Sequence, residues 1–61
     1  MKRIKCYKNG RMVSDNPCYD GVFEHLVWMA KTNKSMVSEL EITENSISFI
    51  ENGIKCLAVV Q

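Results

Sequence analysis

"SISFIENGIKCLAVV", residues 46–60, consists of two alternating apolar segments joined by Asn52-Gly53. An Asn-Gly pair between such segments marks a type I′ hairpin turn, because both central residues must adopt positive φ. A two-residue loop fixes the register, setting Phe49 against Cys56 and Ile47 against Ala58. One face of this hairpin then carries Ile47, Phe49, Ile54, Cys56, Ala58 and Val60. The other shows Ile50, Leu57 and Val59 among Ser46, Ser48 and Lys55.

The same pair recurs at Asn9-Gly10, where it folds "KRIKCYK" back on "RMVS". Lys8 then faces Arg11, Tyr7 faces Met12 and Cys6 faces Val13. Ile4, Cys6 and Val13 share one side, and Lys5, Tyr7 and Met12 the other. A fifth alternating segment, "MVSELEI" at 36–42, puts Met36, Leu40 and Ile42 on a face that includes Ser38. Its turn into the last hairpin falls at Thr43, Glu44 and Asn45.

Between the two hairpins, "PCYDGVFEHLVWMAKTN" at 17–33 has helical periodicity. Asp15 or Asn16 is the expected cap, and Pro17 suits the first helical position, where its missing N–H costs nothing. Asp20 favours the helix dipole, and Asn33 ends the helix. At about 100° per residue, Tyr19, Val22, Phe23, Leu26, Val27 and Ala30 form one apolar stripe. The expected fold is therefore α+β and a single domain over 1–61. It is a small antiparallel sheet of four to five strands, in the order β-β-α-β-β-β, with one helix packed on one face.

Length bounds what such a domain can do. A chain of 61 residues buries only about 60% of its unfolded surface and has little room for a substrate cavity with its own supporting shell. A binding protein is expected rather than an enzyme. The only histidine is His25, and Cys18 lies seven residues away, roughly 10 Å along a helix axis. That is too far for a thiolate–imidazole pair. Cys6 and Cys56 point toward the core, and Cys18 and His25 away from it, so four zinc ligands do not converge. With no Gly-rich phosphate loop and no carboxylate pair at acid–base spacing, no catalytic residue, metal or cofactor is expected.

Charge is unevenly distributed. Lys2, Arg3, Lys5, Lys8 and Arg11 give the first 14 residues +5; Lys31, Lys34 and Lys55 against seven acidic residues give the rest −4. The basic end is either a solvated strand pair or, with Tyr7 interleaved, a surface for nucleic acid. No segment reaches the ~20 apolar residues of a membrane span, and the start lacks an apolar run of signal-peptide length. A cytoplasmic protein with three reduced cysteines is expected.

Trp28, the only tryptophan, lies about 180° from the apolar stripe. It shares the outer side of the helix with Gly21, Glu24, His25 and Thr32, and Met29 is at the flank. One reading lays the indole sideways over a loop. The other makes it an anchor for a protein partner, since one rigid indole fills a pocket at low entropic cost. On the sheet face away from the helix, Tyr7, Met12, Ile50, Leu57 and Val59 would be uncovered and offer a second binding or self-association surface.

Three places carry a resemblance to a known family. "FIENGIKC" at 49–56, "NKSMV" at 33–37 and the helix tryptophan Trp28 resemble the Dmd antitoxins of T4-like bacteriophages. Membership implies a non-catalytic inhibitor in the host bacterial cytoplasm. It would insert into a groove of the host RNase toxins RnlA and LsoA and so protect late phage mRNA. Trp28 and Asn33 would be the toxin-binding pair, with Asn45 as the alternative asparagine and Glu24, His25 and Thr32 as the polar rim. A small nucleic-acid-binding protein and a homodimeric module are the alternatives.

Overall fold

A computed structural model describes residues 2–61. It contains strands β1 (Arg3–Lys8), β2 (Arg11–Pro17), β3 (Ser38–Ile42), β4 (Ser46–Glu51) and β5 (Ile54–Val60), with helix α1 (Val22–Thr32) between β2 and β3. A single 3-10 turn, Lys34–Met36, follows the helix. All strand pairs are antiparallel, and one sheet runs in the order β2-β1-β5-β4-β3. The α+β class and the element order are as the sequence reads.

Both Asn-Gly turns form. Asn9 and Gly10 have φ of 51° and 80°, and Asn52 and Gly53 have 53° and 78°, the positive values that a type I′ turn requires. The β4–β5 register is the expected one, Phe49 opposite Cys56 and Ile47 opposite Ala58. What joins the two hairpins is β1 beside β5, with Ile4 opposite Val60 and Cys6 opposite Ala58. That pairing makes β5 the central strand and gives Ile4, Cys6, Ile47 and Ala58 a common face.

Four local expectations are corrected. The first hairpin holds its register only through Tyr7–Met12. A shift there leaves Val13 as an extra residue, so Cys6 faces Ser14 rather than Val13. The bulge lets β2 continue through Pro17, which is tolerated because β2 is an edge strand with no outer partner for the missing N–H. Asp15, Asn16 and Pro17 therefore belong to the sheet, and Asp15 accepts a 2.8 Å charged hydrogen bond from Arg3 Nε instead of capping a helix.

The helix accordingly starts later, at Val22. Gly21 is its N-cap, at φ 88°, so this glycine supplies a left-handed turn and is not inside the helix. Tyr19 precedes the helix, leaves the apolar stripe and is 62% exposed. Finally, Ser38 faces Ile50, while Ile42 faces Ile47 on the opposite side of the sheet. A register shift between Ser38 and Glu41, with Glu39 at φ 53°, flips the strand's alternation.

The helix lies over the face that carries Ile4, Cys6, Ile47, Phe49 and Ala58. Val22, Phe23, Leu26, Val27 and Ala30 are half-buried there, as their periodicity demands. Packing is loose. Among the described residues only Ile4 (6% exposed) and Ile47 (2%) are buried. Leu26, Met29 and Ala30 stand off Phe49, Cys56 and Ala58 across an open apolar crevice of about 330 Å³.

Candidate functional site on the outward face of the helix

Residues four apart on a helix stack on one face. Val22, Leu26 and Ala30 spend that periodicity on the sheet, so Glu24, Trp28 and Thr32 are turned to solvent. All three are exposed, and Trp28 retains 62% of its surface. The indole does not fold back over a loop. It stacks instead on His25, with ring centroids 6.0 Å apart and planes 21° from parallel. The pair forms a flat aromatic plate, with the Glu24 carboxylate and the Thr32 hydroxyl on the same side of the helix. Met29, 40% exposed, extends it toward the crevice.

The plate can bury a large apolar area with few rotamers to freeze, which is what a protein-binding anchor needs. It has no nucleophile or proton-transfer pair. The Cys18 sulfhydryl is directed at the Tyr19 carbonyl oxygen, 4.0 Å away, and Cys18 precedes the helix. Among the described residues no group of three or more His, Cys, Asp or Glu side chains is placed to hold a metal ion.

Glu24, His25, Trp28 and Thr32 thus come together as their spacing indicates. Asn33 does not join them. Five residues beyond Trp28, it closes the helix: its backbone N–H and its Nδ2 both donate to the Met29 carbonyl at 3.0 Å. Asn33 also lines the crevice, on the sheet side of the helix. Asn45 is at the other end of the domain, where its Nδ2 donates to the Val60 carbonyl at 3.4 Å and its backbone N–H to Thr43 Oγ1 at 3.3 Å. It shares a polar depression with Tyr19, Phe23 and Glu24 near the helix N-terminus. Tyr7 and Met12 face each other on β1 and β2, on the side of the sheet away from the helix.

Tyr19 and Met36, which the periodicity assigns to the apolar stripe and to the strand face of Leu40 and Ile42, are instead exposed apolar side chains, at 62% and 70%. Both flank the helix, and each owes its exposure to a boundary: the late start at Val22 and the 3-10 turn. The basic residues divide between environments. Lys5 shares the outer face with Tyr7, Lys8 lines the crevice, and Arg3 is paired with Asp15. Among the described residues no helix is long and apolar enough to cross a membrane. No family model, curated protein or solved structure matches the chain.

Proposed function

We propose that the protein is a phage antitoxin that binds a host endoribonuclease toxin of the RnlA/LsoA type and inhibits it sterically, without catalysis of its own. The single observation that carries this reading is the solvent-facing Trp28–His25 plate. A 61-residue domain whose core holds so few buried side chains gains nothing in stability from an indole left in water. The resemblance of "FIENGIKC" and "NKSMV" to the Dmd antitoxins supplies the partner class.

In this reading Trp28 enters a pocket of the toxin and His25 stiffens the indole from behind. Glu24 and Thr32 form the polar rim. The exposed carboxylates of Asp20 and Glu24 suit the basic surface with which an RNase holds its substrate, and would speed encounter. Asn33 contributes indirectly, by fixing the last helical turn on which Thr32 sits. Infected bacterial cytoplasm is the proposed place of action.

The test is an RNA-cleavage assay with a purified RnlA/LsoA-type toxin and increasing amounts of this protein. Stoichiometric loss of cleavage is the expected result. Undiminished cleavage at excess protein, with no complex on a sizing column, rejects the reading.

A further inference from the structure

We infer that the Asn52-Gly53 turn is a self-modifying site: the Asn52 side chain is attacked by the main chain of its own turn and becomes isoaspartate, while the matching Asn9-Gly10 turn is protected. The inference is independent of the proposed function.

The chemistry needs a carboxamide, a following residue without a side chain, and a backbone N–H free to lose its proton. Hydroxide removes the Gly53 amide proton, and the nitrogen attacks Asn52 Cγ. A new C–N bond closes a cyclic imide, the Cγ–Nδ2 bond breaks, and Nδ2 leaves as ammonia with a proton from water. Water then opens the imide at either carbonyl. Opening at Cγ restores the α-linked chain as aspartate; opening at the main-chain carbonyl leaves Gly53 joined to Cγ, which is isoaspartate. In sum, water is consumed and ammonia released, with no oxidation or reduction.

Both turns carry these groups on nearly the same backbone: φ is 51° and 80° at Asn9 and Gly10, and 53° and 78° at Asn52 and Gly53. All four residues are exposed, and open space surrounds the position a Cβ would take on either glycine. Neither glycine N–H has an acceptor among the described residues. The two asparagines differ in what holds them. Asn9 Oδ1 accepts from the Lys55 N–H, and the Asn9 N–H donates to the Lys55 carbonyl. Asn52 has no counterpart of either bond among the described residues.

The imide ring fixes a rotation about the asparagine Cα–C bond that a tight turn does not have, so the reaction proceeds from the locally opened turn. At Asn52 opening frays only the end of its own hairpin. At Asn9 it must also break two hydrogen bonds to β5, which makes the open form about fivefold rarer or more. The consequence at Asn52 is structural. The β4–β5 register, Phe49 opposite Cys56 and Ile47 opposite Ala58, rests on a loop of two residues. Isoaspartate adds a main-chain methylene to that loop and a negative charge beside Glu51. The ladder no longer closes as before, and the hairpin that holds Ile47 loses stability. The lifetime of the domain is thus limited by its own turn.

Ageing the purified chain in warm, mildly alkaline buffer tests the inference, with digestion by a glutamate-specific protease and tandem mass spectrometry at intervals. The urea-unfolded chain supplies each site's intrinsic rate, which already contains the effect of Lys8 and Arg11 around one turn and Glu51 beside the other. Relative to those rates, Asn9 should be protected about fivefold or more over Asn52, and Asn52 should yield both isoaspartate and aspartate. The isoaspartate species, isolated by chromatography, should unfold at lower urea than the fresh chain. Asn52→Asp, which has the charge without the methylene, should stay close to the fresh chain, since aspartate tolerates the same turn. Equal protection at the two sites overturns the proposal, as does an Asn52 that stays intact while the unfolded chain reacts. So does an isoaspartate species as stable as Asn52→Asp.

Discussion

Asn9 clamps the turn of the first hairpin to Lys55 of the second: its backbone N–H donates to the Lys55 carbonyl at 2.8 Å, and its Oδ1 accepts from the Lys55 N–H at 3.1 Å. The side chain thus extends the β1–β5 ladder one step past the end of β1, while the backbone holds φ at 51°. Asn9→Ala loses the acceptor and strains the turn, for a cost of about 1–2 kcal/mol. Asn9→Gly loses only the acceptor and should fall about halfway between. Urea unfolding of the three proteins checks the order.

Among the described residues Ile47 is the most buried, at 2% exposure, and it faces Ala58 on the central strand. Ile47→Ala should cost about 2–4 kcal/mol. A domain this small has a total stability of about that order, so the variant should be largely unfolded by circular dichroism at 25 °C. A cooperative transition close to that of the unmodified chain would show that the core lies elsewhere.

Ala30 and Ala58 face the crevice between helix and sheet. Ala30→Leu puts apolar atoms into it at little cost in helix propensity. A gain of about 1 kcal/mol is expected, seen as a rise of roughly 4–8 °C in the melting midpoint. An unchanged or lower midpoint would mean that helix and sheet close the gap in solution.

At Gly21, open space surrounds the position a Cβ would take, so only the backbone resists substitution. With φ at 88°, Gly21→Ala should lose about 1 kcal/mol. Gly21→Asn should lose less, because asparagine tolerates positive φ. Equal losses would place the cost in packing rather than in conformation.

The local parts of this architecture could be read from the chain because each has a local cause. Asn52-Gly53 alone dictates the β4–β5 register, and the spacing of Val22, Phe23, Leu26, Val27 and Ala30 dictates which side of the helix meets the sheet. From these follows the outward placement of Glu24, His25, Trp28 and Thr32. The pairing of β1 with β5 has no local sign, since Ile4 and Val60 are brought together only by the whole fold.

Pro17 misled for a physical reason: its lack of an N–H suits a helix start and an edge strand equally. The bulge at Val13 and the left-handed Glu39 carry no Asn or Gly to announce them. Asn33 was legible as a helix terminator. Its distance around the helix from Trp28 follows from the same period, and its doubled bond to Met29 leaves it a structural part.

The central claim is that the Trp28 indole, free of any role in the core, is the anchor for the toxin. Calorimetric titration of an RnlA/LsoA-type toxin with the unmodified chain and with Trp28→Ala tests it most directly, after urea unfolding has shown stabilities within about 0.5 kcal/mol. The account predicts that the variant keeps its fold and binds at least about 30-fold more weakly, the loss of a hot-spot residue worth ≥ ~2 kcal/mol. A folded Trp28→Ala protein that binds the toxin at full strength would contradict it.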